Sequence, residues 1–145
     1  MLPNQPVTNE EELYNHVFED AETGWMIVAN EATAGDRNAI EILLRFLWFA
    51  DGIGAETTLS TLVGLVRIQT IPFLEVLYDY RDSLRGKSLI SQISFTAIIG
   101  KVPSGARRYD LEMRIKSLEA VQEPKLTEIK EECNRTLKQA LARQQ

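Results

Sequence analysis

The amino-acid sequence predicts an all-α protein of about seven helices, and three observations lead to this prediction. Apolar residues recur at spacings of three and four along most of the chain, which is the period of one helix face. Single glycine, proline, serine or aspartate residues separate these stretches, and such residues end or cap helices. The apolar residues are concentrated between Ala39 and Ile99, so we expect the core in the middle of the chain.

Length and composition favour a single all-helical domain over residues 1–145. The chain has 145 residues, of which 44% are hydrophobic and 26% charged, as in ordinary globular proteins. No stretch approaches the roughly 20 apolar residues of a membrane span, so we expect none. The net charge of −5 argues against general nucleic-acid binding, which needs clustered lysine and arginine.

The first helices are predicted from caps and apolar stripes. Residues 1–8 form an extended lead-in, and Thr8 with Glu11 is a capping box that starts a helix near Asn9. Gly35 supplies a left-handed position that ends the second helix, and Asp36 is placed to cap the third. The second and third stripes are Ala21, Trp25, Val28, Ala29 and Ala32, and then Ile40, Leu43, Leu44, Leu47 and Trp48.

The middle of the chain continues this pattern. A break is predicted at 51–54, and Leu59, Leu62, Val63 and Val66 follow on one helix face. Pro72 suits a first helical position because proline lacks an amide hydrogen. The helix after it is apolar around most of its circumference, which predicts burial on more than one side and a central place in the fold.

The last third of the chain contains clear signals for helix ends. Gly86 and Ser88 are predicted to stop one helix and cap the next, which runs over residues 89–98. That segment is rich in β-branched residues, and a strand is the competing interpretation. Residues 100–105 form a linker in which Ser104 can cap the following helix. Two one-sided helices then make a terminal helical hairpin over residues 106–143.

A faint internal repeat accompanies these helices. The sequence Ala-Ile-Glu-Ile-Leu at 39–43 aligns with Phe-Leu-Glu-Val-Leu at 73–77, an offset of 34 residues. Residues 71–79 are similar to the first helix of a HEAT-type repeat, and Gly35-Asp36-Arg37 resembles the turn before such a helix. The resemblance implies stacked helix pairs that present a surface to a partner. No third copy is evident, so an irregular helical bundle remains the alternative.

Charge is distributed unevenly along the chain. Residues 1–36 hold eight acidic and no basic side chains, residues 37–100 are balanced, and residues 101–145 carry three net positive charges. The acidic side chains at 10–22 favour a negative face that attracts a basic partner, with plain solubility as the alternative. The predicted partner-binding residues are Glu10, Glu11, Glu12, Glu19, Asp20 and Glu22.

Catalytic, metal and cofactor sites are not predicted. His16 follows Glu12 by one helical turn, but no second histidine exists to complete a metal site. Cys133 falls on an apolar stripe and is interpreted as core packing. The sequence therefore predicts a non-enzymatic interaction protein, with an inhibitor or immunity protein as one specific form. The alternative is a small-molecule-binding bundle with a pocket lined by Trp25, Trp48, Tyr78 and Tyr80.

Two further expectations concern location and association. The chain as given starts without a basic segment followed by an apolar one, so it is expected in the cytoplasm. A periplasmic or secreted location applies if a signal peptide has been removed. The charge difference between the two ends of the chain also permits a homodimer, in which acidic and basic ends of two copies meet.

Overall fold

The computed structural model describes residues 21–47, 52–95 and 103–144. All regular structure in these residues is helical, without strands, which confirms the all-α prediction. The predicted first helix near Asn9 lies outside the described residues. The helices are α1 (Ala21–Thr33), α2 (Arg37–Leu47), α3 (Gly52–Ile68), α4 (Thr70–Asp79), α5 (Leu84–Ser91), α6 (Ser104–Glu119) and α7 (Thr127–Arg143), with a 3₁₀ turn at Pro124–Leu126.

The turn between α1 and α2 has the predicted form. Gly35 adopts a φ of +97°, in the left-handed region that favours glycine. Asp36 then accepts a hydrogen bond from the amide of Ala39 at 3.1 Å, which satisfies one of the free amides of the first turn of α2. A side chain at position 35 would also collide with Gln69, whose amide nitrogen donates to the carbonyl of Thr33.

The boundaries of α3 and α4 differ slightly from the prediction. The break expected at 51–54 is shorter, because α3 already begins at Gly52. The break before α4 is the single residue Gln69, so Pro72 is the third helical residue and not the first. Proline is tolerated there because the amides of a first turn have no partner within the helix.

Helix α5 begins earlier than the sequence suggested. The cap is Ser83, whose hydroxyl accepts from the amide of Gly86 at 3.1 Å and donates to the carbonyl of Tyr80 at 2.7 Å. The prediction that Gly86 and Ser88 form a stop and cap is therefore wrong. Gly86 is the third residue of the helix, and the position requires glycine because an added Cβ would lie 2.0 Å from the Tyr80 carbonyl oxygen. Of the helix predicted over residues 89–98, residues 89–91 are helical as the end of α5, residues 92–95 are not helical, and residues 96–98 lie outside the described part of the chain.

One continuous hydrophobic cluster contains buried residues from every described helix. Helix α4 is central to it, since it packs against α2, α3, α7 and the 3₁₀ turn, as its all-round apolar pattern predicted. Four of its side chains are buried, and the fully enclosed ones include Phe73 and Leu77. The thiol of Cys133 on α7 is also completely buried, as predicted for a packing residue.

Helices α6 and α7 pack against each other, and residues 120–126 connect them. Lys130 donates to the carbonyl of Val121 at 2.8 Å, and Lys138 lies 3.5 Å from the carboxylate of Glu119. Helix α6 starts at Ser104 after Pro103, without a capping side chain, so the prediction of a Ser104 cap is wrong by one position. Helix α6 also packs on α3, which positions the groove described below.

Candidate functional site

The predicted acidic site falls outside the part of the chain that the structure describes. Glu10, Glu11, Glu12, Glu19 and Asp20 are not among the described residues, and only the backbone of Glu22 is described, in α1. Two later acidic residues of the same segment can be placed. Glu31 is exposed on α1, whereas Asp36 caps α2.

The ion pairs between described residues use carboxylates that come later in the chain, from Glu41 onward. Most of these pairs lie at the surface, where each contributes about 0–1 kcal/mol. Seven described basic side chains are thus paired with acids that lie outside residues 1–36. The pairs are Arg37–Glu75, Arg45–Glu41, Arg67–Asp110, Arg81–Asp82, Arg108–Glu112, Arg114–Asp110 and Lys138–Glu119.

Trp25 and Tyr80, two of the aromatic side chains of the predicted pocket, bond to different helices. The indole nitrogen of Trp25 donates to the hydroxyl of Thr58 at 3.4 Å, joining α1 to α3. The hydroxyl of Tyr80 donates to Glu41 at 2.6 Å and accepts from Arg45 at 3.0 Å, joining the end of α4 to α2. Burial and the hydrogen bond to Glu41 raise the pKa of Tyr80.

Tyr78 faces cations instead of other aromatic rings. The guanidinium of Arg81 lies 3.9 Å from its ring centre, and the ammonium of Lys125 lies 4.7 Å away, both within cation–π range. The contacts of Trp25, Tyr78 and Tyr80 therefore belong to three separate places, and Trp48 lies outside the described residues. The shared aromatic pocket stays a prediction.

A groove between α3 and α6 was not foreseen from the sequence. Its volume is about 760 Å³, and small residues on both helices leave it open. Ile68 and Tyr109, on its two sides, are each 57% exposed, so both present apolar surface to solvent. The groove is lined by Ser60, Gly64, Arg67, Ile68, Ala106, Tyr109, Asp110, Met113, Arg114 and Ser117.

Arg114 forms the inner wall of this groove and is only 3% exposed. One of its terminal nitrogens donates to the carbonyls of Ile93 and Phe95 at 2.8 and 2.7 Å, which follow the end of α5. The other lies 2.7 Å from Asp110 on the same helix. Burial lowers the pKa of Arg114, and Asp110 opposes that effect by stabilising the charged form.

Asp110 connects this buried cation to the open groove. Its second carboxylate oxygen lies 3.6 Å from Arg67 on α3, and the Arg67 guanidinium lies 5.9 Å from the ring of Tyr109. Only the spacing of Asp110 and Arg114, one helical turn apart, was visible in the sequence. Nothing local indicated that Arg114 would be buried or that α3 would supply Arg67.

A second cavity, of about 550 Å³, lies between α2, α3 and α5. Apolar side chains form much of its wall, and a few polar groups stand among them. Its lining comprises Leu44, Leu47, Ala55, Glu56, Leu59, Arg85, Ser88, Gln92 and Phe95. This arrangement of an apolar wall with scattered polar groups is typical of sites for small molecules.

Chemically reactive groups are scarce in the described residues. Burial raises the pKa of the Cys133 thiol to about 12, so this side chain stays a neutral thiol at physiological pH. No three His, Cys, Asp or Glu side chains of residues 21–47, 52–95 and 103–144 come close enough together to hold a metal ion. Within the same ranges, no helix is both long and apolar enough to cross a bilayer.

Comparison with known proteins gives no relative. No protein-family model matches this chain, and neither a curated protein nor a solved structure matches it.

Proposed function

We propose that this protein is a non-enzymatic protein–protein interaction module whose acidic N-terminal segment binds a basic partner protein. The observation that carries the proposal is that eight acidic and no basic side chains lie in residues 1–36. The ion pairs between described residues use other carboxylates, from Glu41 onward. Negative charge clustered in this way along the sequence favours faster association with a cationic surface.

An inhibitor or immunity protein for a cationic toxin or enzyme is the specific form that we favour. Such a protein needs a stable scaffold and a charged face, and it needs no reactive group of its own. Stacked HEAT-like helix pairs, as the similarity of residues 39–43 and 73–77 suggests, would provide a scaffold of that type.

The test is affinity purification from the native host with quantitative mass spectrometry. The chain is compared with the triple variant Glu11→Lys, Glu12→Lys and Glu19→Lys. A control triple variant, Glu123→Lys, Glu128→Lys and Glu131→Lys, changes the net charge equally at exposed positions outside the acidic segment.

We expect the chain and the control variant to retain one basic protein at low salt, and the N-terminal variant to lose it. Binding should weaken steeply between about 50 and 300 mM NaCl, because exposed charges are screened over about 10 Å or less. If both triple variants retain the same proteins as the unchanged chain, the acidic segment is not the binding site and the proposal is wrong.

A second candidate function is small-molecule binding, and the 550 Å³ cavity between α2, α3 and α5 is the observation that favours it. Its size lies within the range of about 300–1,000 Å³ that is common for ligand sites. Filling it with Ala55→Phe should abolish the fluorescence gain of the apolar dye anilinonaphthalene sulfonate, whereas Ala142→Phe on the exposed face of α7 should not. Equal dye binding by both variants would count against this function.

A further inference from the structure

The groove between α3 and α6 has a length and an open base that suit the binding of one additional helix. Along α6 its lining runs from Ala106 to Ser117, a distance of about 16 Å at the usual helical rise. Its base on α3 is open at Gly64, where an added Cβ would meet no atom within 4 Å. Ile68 and Tyr109 border this space and stay exposed in the single chain.

The charge of the groove indicates the chemistry of its occupant. The charged residues that line it are two arginines, Arg67 and Arg114, and one aspartate, Asp110. Asp110 gives its short contact to Arg114 at 2.7 Å and lies 3.6 Å from Arg67. Arg67 is therefore held only loosely, and its side chain is 38% exposed. An apolar groove with one excess positive charge fits an apolar helix that carries carboxylates.

The chain itself contains a segment with this composition. Residues 10–20 include five acidic and no basic side chains. Their apolar residues Leu13, Val17 and Phe18 have the spacing of a helix face, and a helix of that length measures about 15 Å. The segment and the groove have similar lengths, both present apolar side chains, and their net charges are opposite. A second copy of the chain carries the same segment and the same groove, so two copies can satisfy both sites by exchange.

We propose that the α3–α6 groove binds the acidic segment 10–20 of a second copy of this chain, and that the two copies exchange these segments reciprocally. A reciprocal exchange has two-fold symmetry and closes at the dimer, so it does not lead to filaments. The dimer would keep the acidic segment covered until a basic partner competes for it. This regulation concerns the segment of the proposed function, but the dimer itself requires no partner.

Gly64→Leu is the most direct test, because it places a bulky side chain in the groove at a position where an added Cβ meets no atom within 4 Å. Gly105→Leu is the control: Gly105 is also helical and has no neighbours around its Cβ position, yet it does not line the groove. Molar mass is measured by light scattering from about 1 to 500 µM protein in about 20 mM NaCl, where charge attraction is least screened. Circular dichroism checks that both variants fold.

We expect a dimer for the unchanged chain and for Gly105→Leu, and at least about a tenfold weaker dimer for Gly64→Leu. Arg67→Gln, which removes the loosely held charge without repelling Asp110, should weaken the dimer and flatten its salt dependence. A monomeric mass for the unchanged chain at every concentration would overturn the proposal, as would a dimer that Gly64→Leu leaves unchanged.

The outcomes also separate this proposal from the proposed function. Gly64→Leu removes the groove and keeps every acidic side chain, so a variant that loses the dimer should still capture a basic partner. Charge reversal at Glu11, Glu12 and Glu19 should remove both activities. If the charge-reversed variant lost partner capture but still formed the dimer, segment 10–20 could not be the part of the chain that binds both the partner and the groove.

Discussion

Replacing Arg114 by methionine tests the most demanding polar contact of the fold. This side chain is 3% exposed and joins the carbonyls of Ile93 and Phe95 to the carboxylate of Asp110. Methionine has similar length and fills much of the same volume, so packing changes little. The substitution therefore removes the charge and the hydrogen bonds of Arg114 but keeps most of its apolar contacts.

The expected cost follows from the groups that lose their partner. Removing one member of a buried ion pair costs about 3–5 kcal/mol, and each buried carbonyl without a donor adds about 1–3 kcal/mol. Asp110 is partly exposed and keeps Arg67 at 3.6 Å, which reduces the first contribution. We expect Arg114→Met to lower the free energy of unfolding by about 4 kcal/mol, out of the roughly 5–15 kcal/mol of an ordinary domain.

The measurement is urea unfolding followed by far-ultraviolet circular dichroism, with the slope against urea checked for constancy. Arg114→Lys is the control, because lysine keeps the charge but cannot reach two carbonyls and a carboxylate together, and we expect about half the loss. In an Asp110→Asn background the cost of Arg114→Met should fall by at least about 1 kcal/mol. A loss below about 1 kcal/mol for Arg114→Met alone would refute this account of the contact.

Three further predictions concern single positions. Gly86→Ala should cost at least about 3 kcal/mol in urea unfolding, because its Cβ would meet the Tyr80 carbonyl, whereas Gly64→Ala at high salt should add up to about 1 kcal/mol. Asp36→Ala should cost about 1 kcal/mol, since the α2 cap is lost, and thermal melting would detect it. Burial raises the pKa of Cys133 from 9.0 to about 12, so between pH 9 and pH 12 the native state keeps a proton that the unfolded chain releases. The free energy of unfolding should therefore fall as the pH rises through this range, and it should fall less in Cys133→Ala.

Local signals in the sequence were sufficient where a turn depends only on its own residues. Gly35 and Asp36 form the turn before α2 as predicted, because a left-handed glycine and a capping carboxylate act within four residues. Gly86 and Ser88 carried the same type of signal and gave a wrong boundary. There the helix start is decided by Ser83 and by the approach of the Tyr80 carbonyl, which residue types alone do not reveal.

The groove between α3 and α6 could not be predicted from the sequence for a related reason. Helix α6 is strongly polar, so Arg114 looked like one of many surface charges. Its burial depends on two carbonyls after α5, and Arg67 comes from α3, 47 positions earlier in the chain than Arg114. Groove formation is thus a tertiary property, since it requires packing between helices that are distant in sequence.

The position of Arg114 links the stability of the fold to the shape of the groove. On the groove side its guanidinium orients Asp110, and on the other side it donates to a carbonyl that follows α5. Arg114→Met should therefore weaken both folding and the proposed dimer. Gly64 makes no such connection, because an added Cβ there meets no atom within 4 Å. A variant that lost the dimer at full stability would therefore have to act at the groove surface, and Gly64→Leu is the substitution for which we expect that combination.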